Sequence, residues 1–303
     1  MDENEWLATR FEEQRPHLRA VAYRMLGSLT EAEDAVQDTW ERLSRSDTGE
    51  VENLRSWLTT VLARVCLNML RSRRVRHEAS YGVHVPDPIV SQSEELQPEE
   101  QALLADSVGL ALLVVLDTLA PAERLAFVLH DTFGLPFEEI APMVGRTPVA
   151  ARQLASRARR RVQGARRTAP DPDHSRQRKA VDAFFRAARD GDFDALLAVL
   201  DPDVVLAVDA GARRPAASVE IRGAEAVARQ ALTGLQQFLV GDLVDVRPAL
   251  VNGAAGVVVT ARGRPMTIMG FTVAEGRIVG IDAIAEPGRV RRIVGTATQE
   301  SDI

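Results

Sequence analysis

Hydrophobic side chains recur at helical spacing through the first part of the chain, which predicts a series of amphipathic helices. The first helix is expected to end at Gly27, and Thr30 with Glu33 forms a capping box for a second helix from Glu31 to Leu43. A third helix is predicted from Ser56 to Arg71, with an apolar stripe at Leu58, Val61, Leu62, Val65 and Met69.

The middle of the chain keeps the helical period, interrupted by two proline-containing segments. Residues 78–100 contain Pro86, Pro88 and Pro98 and little periodicity, which indicates an extended acidic linker. The other elements expected here are helices over residues 101–119 and 121–130, a helix-turn-helix over 137–163 and a second linker over 168–175.

From about residue 176 the pattern changes to short runs with the alternation of strands. Helices followed by antiparallel strands favour an α+β domain, predicted over residues 176–290 with a tail over 291–303. The expected helices are 177–188, 193–200 and 224–238, and the expected strands are 204–208, 218–221, 242–250, 255–261, 267–273 and 277–285. We therefore predict a multidomain chain, in which an all-α helix bundle (5–77) and a helix-turn-helix region (101–167) precede an α+β domain.

The composition of the 303 residues is that of a folded protein, with 46% hydrophobic and 26% charged side chains. A single cysteine, Cys66, excludes an internal disulfide framework and a cysteine-based zinc finger, and no metal or cofactor is expected. The sequence has no apolar run long enough to span a membrane, and its acidic N-terminus lacks a signal sequence. We therefore expect a cytoplasmic protein without membrane contact.

The net charge of −6 conceals three blocks of alternating sign. Residues 53–77 carry six arginines and no acid, residues 78–139 are strongly acidic, and residues 140–170 carry eight arginines and no acid. Two basic blocks on an acidic protein predict two contacts with a polyanion such as nucleic acid. A solvated helix face is the alternative interpretation of either block.

The most specific motif is the sequence FEEIAPMVGRTPVAARQLAS over residues 137–156. Ala141 is the small residue where two helices cross, Gly145 suits the turn, and Thr147 and Pro148 suit the start of the second helix. If Leu154 faces inward, the outward side chains of that helix are of the types that contact base edges and phosphates in DNA complexes. The predicted DNA-binding surface comprises Thr147, Val149, Arg152, Gln153, Ser156, Arg157, Arg159 and Arg160. A helical hairpin with a solvated basic face is the alternative.

The third predicted helix presents a second polar surface, opposite its apolar stripe. Its side chains follow a polar loop over residues 44–53, and aromatic and arginine side chains beside such a loop suit single-stranded nucleic acid. The predicted surface comprises Arg55, Trp57, Arg64, Asn68, Arg71 and Arg74.

Three segments together resemble the extracytoplasmic-function (group IV, sigma-70 type) sigma factors of bacterial RNA polymerase. Region 2 of that family is similar to LRAVAYRMLGSLTEAEDAVQDTWERL and LRSWLTTVLARVCLNMLRSRRVR, and region 4 is similar to LDTLAPAERLAFVLHDTFGLPFEEIAPMVGRTPVAARQLASRARRRV. The resemblance implies that region 2, with the 44–53 loop, reads the −10 promoter element and that the helix from Pro148 reads the −35 element. It also implies contacts with the core polymerase, at the β flap and, on the β′ coiled coil, through Asp34, Val36, Gln37, Asp38 and Trp40.

The last part of the chain resembles a SnoaL-like domain of the NTF2-like cone fold, which a subset of these sigma factors, the SigJ-like group, carries after region 4. In that group the linker usually has a Trp-Leu-Pro-type motif and the domain a glycine-rich loop ending in Lys. Here the linker retains Pro86 and Pro88 without the Trp, and the corresponding loop, with Asp209, Gly211 and Arg213, has fewer glycines. The resemblance implies that this domain controls the sigma regions in cis.

Three alternatives remain open from the sequence. The C-terminal domain could be an enzyme that uses a carboxylate such as Asp209, Glu220, Asp245 or Asp282, but it contains no His, Tyr or Cys partner, so no catalytic residue is predicted. It could bind an unidentified small molecule that shifts a docking equilibrium. The whole chain could instead be a helix-turn-helix transcriptional regulator with a ligand-sensing or catalytic cone.

Overall fold

A computed structural model describes residues 3–46, 53–77, 83–91, 109–165, 171–211, 214–239 and 244–299. The chain forms two compact units. The first comprises Met1–Ala79, Gln97–Asp106 and Val115–Arg166, and the second comprises Ser80–Leu96, Ser107–Val114 and Arg167–Ile303. Part of the connection between the two helical regions therefore belongs with the C-terminal domain, whereas the sequence predicts a separate linker over residues 78–100.

Three helices form the N-terminal part of the first unit: α1 (Glu3–Leu26), α2 (Leu29–Leu43) and α3 (Leu54–His77). Gly27, with φ of 70°, follows α1 as predicted, because glycine adopts the left-handed conformation without a Cβ clash. The predicted capping box at Thr30 is wrong, since Thr30 lies inside α2. The extended residue Ser28 caps this helix instead, by accepting a hydrogen bond from the Glu31 N–H at 3.5 Å.

The second helical region of this unit includes the end of α4 (Leu110–Asp117), followed by α5, α6 and α7. The bounds of these three helices are Pro121–Phe127, Phe137–Val144 and Pro148–Ala165. A π-helical turn over Val128–Thr132 follows α5, where the sequence predicts one helix over 121–130. The predicted start of the 101–119 helix lies outside the described residues. Among the described residues, no helix combines the length and the apolar character that crossing a membrane requires.

A buried arginine joins the two helical regions of the first unit. Arg124 of α5 is 1% exposed and donates from Nε and Nη2 to the Arg24 carbonyl at the end of α1, at 3.3 and 3.2 Å. Its Nη1 donates to Asp117 Oδ1 at 2.9 Å, and the same oxygen lies 3.7 Å from Nη1 of Arg73 in α3. Burial lowers the pKa of Arg124, and the charge of Asp117 opposes that shift. Helices α1, α3 and α5 therefore meet at one desolvated ion pair.

The C-terminal part of the second unit begins with α8 (His174–Asp190), which Asp173 caps by accepting hydrogen bonds from the Ser175 and Arg176 N–H groups. The second predicted linker, 168–175, therefore ends earlier than expected. The following elements are α9 (Phe193–Val199), β2 (Leu200–Asp209), β3 (Val219–Arg222), α10 (Ala224–Leu239), β4 (Val244–Val251), β5 (Ala254–Ala261), β6 (Arg264–Ala274), β7 (Arg277–Ile284) and α11 (Pro287–Gln299).

The predicted tail over 291–303 is wrong for its described part, because residues up to Gln299 form α11. Val290, Ile293 and Val294 of this helix pack on the sheet. Their spacing places them on one helix face, so burial of that face stabilises the helix.

One sheet organises the second unit, with the strand order β1-β4-β5-β6-β7-β2-β3 and a parallel pair only between β2 and β7. The edge strand β1 (Val90–Ser91) comes from the linker and pairs only with the end of β4, at Val251 and Leu250. Earlier in β4, Asp245 and Arg247 form an exposed ion pair beside Pro248. The predicted α+β class of this domain is confirmed.

Apolar side chains cover both faces of this sheet. Between the sheet and α8–α10, the rings of Phe184, Phe185 and Phe271 lie 5.4 to 5.8 Å apart. The outer face packs against α11, the linker and the start of α4, through a cluster that includes Val85, Val90, Leu110, Val251, Ile284 and Val290. The linker is therefore part of the core of the second unit.

Asp282 of β7 is a carboxyl on this covered outer face. It lies in register between Ala207 of β2 and Gly270 of β6, and Ala207 belongs to the outer-face cluster. Burial raises the pKa of Asp282 to about 7, because the ionised form loses its hydration there.

A carboxyl with a raised pKa contributes its full stabilisation below its ordinary pKa, near 4, and loses it as the pH rises through about 7. We therefore expect Asp282→Asn to raise the free energy of unfolding at pH 8 by about 2 kcal/mol and to flatten its fall between pH 5 and 8. Urea unfolding across this pH range measures both effects. Asp245→Asn, at an exposed carboxyl, is the control, and an Asp282→Asn variant with the wild-type pH slope would contradict the prediction.

Candidate nucleic-acid interface

The turn between α6 and α7 has the geometry that the sequence predicts. Gly145 ends α6 with φ of 65°, and Pro148 is the first residue of α7. Thr147 Oγ1 accepts a hydrogen bond from the Ala150 N–H at 3.3 Å, which caps α7. Ala141 is 2% exposed where the helices cross. The two helices therefore form a helix-turn-helix.

The outward side of α7, which we call the α7 face, exposes most of the predicted base-reading side chains. Val149 is 63% exposed, and Thr147, Arg152, Gln153 and Arg160 are exposed as well. Ser156 is half-buried. Arginine and glutamine bind guanine and adenine edges, and valine contacts the thymine methyl, so the α7 face has the chemistry for reading a major groove.

Three arginines of α7 pair with carboxylates of their own region, and two of them, Arg157 and Arg159, belong to the predicted DNA-binding surface. Arg157 Nε lies 2.8 Å from Glu123 Oε1, and Arg161 Nη1 lies 3.0 Å from Glu123 Oε2. Arg159 pairs with Asp131 in the π-helical turn. These pairs join residues 28 to 38 positions apart, which no local sequence pattern reveals. They neutralise part of the positive charge in the second half of α7.

A second polar surface, which we call the α3 face, lies opposite the buried side of α3. Its exposed members are Arg64, Asn68 and Arg71. Trp57 is half-buried, and Arg55 is exposed with its Nη2 3.3 Å from His17 Nδ1. The side chain of Arg74 and residues 47–52 lie outside the described part of the chain. The predicted triad at helical spacing is therefore on one accessible face.

The predicted polymerase-binding residues of α2 divide into exposed and buried members. Asp34, Gln37 and Asp38 are exposed. Trp40 is half-buried, and its ring centroid lies 5.0 Å from that of Phe11. Val36 is fully buried, so the prediction that it belongs to the binding face is wrong for this conformation, because its side chain packs in the helical core.

Residues 83–91, which we call the docked linker, are held by the C-terminal domain through main-chain hydrogen bonds at two points. The Val85 N–H donates to Asp209 Oδ2 at 3.0 Å, and the Val85 carbonyl accepts from Arg289 Nη2. Four residues later, the Ile89 N–H donates to Asn252 Oδ1 at 2.7 Å, and the Ile89 carbonyl accepts from the Asn252 N–H at 2.8 Å. These contacts fix the register of the linker.

The contact at Val85 is formed by Asp209, at the end of β2, together with Arg289. Arg289 Nη1 lies 2.6 Å from Asp209 Oδ2, and Arg289 also pairs with Asp87 of the linker. Burial opposes ionisation of Asp209, but hydrogen bonds from His84 and the Val85 N–H and the charge of Arg289 hold its pKa below its usual range. Asp209 therefore binds the linker as a carboxylate.

Gly211 is required in the loop after β2 for two reasons. Its φ is 79°, and a Cβ there would lie 2.6 Å from Glu286 Cγ. The sequence predicts a regulatory loop here, and the structure describes Asp209 and Gly211 in it, while Arg213 lies outside the described residues. Asn252 and Arg289 are functional residues that the sequence analysis misses. The Asn-Gly turn is a local signal for Asn252, and no local pattern points to Arg289.

Three of the four carboxylates considered for catalysis are held in ion pairs with arginines. Glu220 pairs with Arg222 at 2.6 Å, Asp245 pairs with Arg247 at 2.8 Å, and Asp209 binds Arg289. Each of these three is engaged in a local or structural ion pair. Asp282 lies on the outer face of the sheet.

Comparison with known proteins matches both helical regions to one family. The Sigma-70 region 2 model covers residues 10–76, and the Sigma-70, region 4 model covers residues 109–162. The chain is 36% identical over 291 residues to the ECF RNA polymerase sigma factor SigJ of Mycobacterium tuberculosis, covering 93% of this chain and 92% of SigJ. This chain belongs to the ECF sigma factors.

Two further comparisons agree with this membership. The sigma factor is 38% identical over 213 residues to the probable ECF RNA polymerase sigma factor SigI of M. tuberculosis, covering 69% of this chain and 72% of SigI. It matches the crystal structure of M. tuberculosis SigJ with a TM-score of 0.74 and 34% identity, over 93% of this chain and 97% of that chain. The match to SigJ extends over 93% of the chain and therefore includes the C-terminal α+β domain. As a sigma factor, the protein directs core RNA polymerase to promoter DNA.

Arginines that already pair with carboxylates should contribute less to DNA binding than exposed arginines do. We expect Arg160→Ala to reduce the log–log salt slope of holoenzyme binding to promoter DNA by about 0.9, because one phosphate contact is lost. Arg157→Ala, which leaves Glu123 paired with Arg161, should change the slope by less than half of that. Binding measured by fluorescence anisotropy across a salt series tests the difference, with Arg186→Ala on exposed α8 as the control. Equal slopes for the Arg160 and Arg157 variants would contradict it.

Proposed function

We propose that this sigma factor initiates transcription by placing two DNA-reading surfaces on one promoter, the α3 face at the −10 element and the α7 face at the −35 element. The observation that carries the proposal is the exposure of base-reading and phosphate-binding side chains on two separate helices of one sigma chain. The exposed residues Asp34, Gln37 and Asp38 of α2 are the proposed contacts with the β′ coiled coil. Region 4 is proposed to contact the β flap.

Promoter binding on this proposal requires the two helical regions to separate. The elements lie about 25 base pairs apart, or roughly 85 Å along the DNA axis. In the first unit, by contrast, Ser56 Oγ at the start of α3 donates to Glu139 Oε2 of α6 at 3.0 Å, and Arg124 ties α5 to α1. Contacts of this length hold the two regions together, so the compact first unit is the state before promoter binding.

We propose further that the C-terminal domain controls this separation through the docked linker. The docked linker lies in the segment that connects the two helical regions, and its main chain is bound at Val85 and Ile89. A tethered domain meets its target at an effective concentration of about millimolar, so a few hydrogen bonds suffice for docking. Docking holds residues 83–91 against the C-terminal domain, which limits how far the two helical regions can separate and favours the compact state.

We propose no enzymatic activity for the C-terminal domain. The interior between α8–α10 and the sheet is packed with three phenylalanine rings, and three of the four candidate carboxylates are in ion pairs. Both observations support a domain that binds a segment of its own chain rather than one that converts a substrate.

The two DNA contacts are tested by transcription in vitro with core polymerase. Arg64→Ala and Arg152→Ala should each lower transcript yield at limiting protein by about tenfold, since each removes one bidentate or phosphate contact. Arg186→Ala, at an exposed position of α8, should transcribe as the wild type does. Unchanged yield in both variants, or promoter binding that needs no core polymerase, would overturn the proposal and favour a helix-turn-helix regulator.

Release of the docked linker should raise promoter activity. We expect Asn252→Ala combined with Arg289→Ala to increase transcript yield roughly threefold or more, because the linker loses one side-chain hydrogen bond at Ile89 and one at Val85 while the DNA-reading helices stay intact. Amide exchange at Val85 and Ile89 verifies the release independently. Arg178→Ala is the matched control, since Arg178 binds the Gly256 and Ala249 carbonyls within the sheet. Full release by exchange with unchanged or reduced transcription would contradict this control mechanism.

Point variants test this control mechanism more specifically than removal of the C-terminal domain does. Truncation near Thr168 would remove not only Asp209, Asn252 and Arg289 but also the sheet face on which Val85, Val90 and Leu110 are buried. Such a chain exposes apolar side chains of the linker and α4, so a change in its activity has two possible causes.

A further inference from the structure

We infer that Phe137 and His130 are positioning residues that hold Arg152 of the α7 face ready for its base contact. The inference rests on the proposed reading of the −35 element by α7 and adds a layer of residues behind it. Neither Phe137 nor His130 belongs to the DNA-binding surface predicted from the sequence.

The three side chains form a continuous stack. Arg152 Cζ lies 5.3 Å from the centroid of the Phe137 ring. The His130 ring stacks on Phe137 with centroids 3.9 Å apart and an interplanar angle of 29°. His130 Nδ1 donates to the Leu135 carbonyl at 2.8 Å, so the stack is anchored to the backbone of the turn before α6.

The ring of Phe137 is itself fixed. It is 7% exposed at the first position of α6, so the surrounding side chains restrict its movement. Arg152, by contrast, is exposed, and a long exposed side chain loses rotamer freedom when it binds DNA. Contact with a rigid ring restricts that freedom before binding, which lowers the entropic cost of the base contact.

An aromatic ring restrains arginine in a way that a carboxylate does not. Arg157 and Arg159 are restrained by Glu123 and Asp131, which occupy the Nε donor of each arginine and neutralise much of its charge. A guanidinium against a ring keeps its charge, and its N–H edge remains available for bidentate bonds to guanine. Among the described α7 arginines, Arg152 therefore combines restraint with unoccupied donors suited to reading a base.

The test is transcription by the full-length protein with core polymerase on a promoter library randomised in the −35 element. Sequencing of the transcripts gives the base preference at each position. Arg152→Ala should abolish the preference at the position that Arg152 reads. Phe137→Leu should weaken the preference at that same position by about two- to fivefold and leave the other positions unchanged, because the loss corresponds to one exposed cation–π contact.

Conservative variants separate positioning from a structural role. Phe137→Tyr keeps a ring under the guanidinium and should restore the wild-type preference, whereas His130→Leu should weaken it in the same direction as Phe137→Leu. The inference is overturned if Phe137→Leu keeps the wild-type preference at the Arg152 position, or if it weakens all −35 positions equally. If the wild-type protein shows no base preference at any −35 position, the proposed function of α7 is refuted instead.

Discussion

The second apolar face of the C-terminal sheet imposes the constraint on which the organisation of this sigma factor depends. Helices α8–α10 cover one face, and leaving the other in water would expose Val251, Ile284 and their neighbours at a cost in free energy. Segments from distant parts of the chain supply the cover: the docked linker, the start of α4 and α11. Burial provides the driving force, while Asp209, Asn252 and Arg289 select one register through the main chain. The segment that joins two DNA-binding regions is thereby also a structural part of a third domain.

Features with local signals are predictable from this sequence, and features that depend on distant partners are not. Gly145, Thr147 and Pro148 define a turn and a cap within four residues, so the helix-turn-helix follows from the sequence. The cap of α2 is predicted wrongly because Ser28 and Thr30 are both suitable N-cap residues by sequence. Only the extended backbone of Ser28 in the structure identifies it as the cap. The contact between Val85 and Asp209 joins residues 124 positions apart, and no periodicity encodes it. Helix α11 could have been predicted from the sequence, because Val290, Ile293 and Val294 have helical spacing.

Arginine serves this chain in three different electrostatic environments. Arg124 and Arg289 are largely removed from water and bind carbonyl and carboxylate oxygens, so they join segments of the fold. Arg157 and Arg159 lie at the surface but are paired with acids from the stretch that precedes α6. Arg152 is restrained by a ring and keeps its charge. Charge blocks along the sequence therefore overstate the number of arginines available to DNA, because part of the acidic block folds onto the basic one.

The shortness of β1 has a consequence for the state in which the linker is released. Undocking uncovers the main-chain groups of only the last two residues of β4, Leu250 and Val251. Beyond them the same strand carries the charged side chains of Asp245 and Arg247 and the ring of Pro248, which has no N–H to donate. A strand of another molecule thus finds no long template there, so this edge of the sheet resists edge-to-edge aggregation even without the linker.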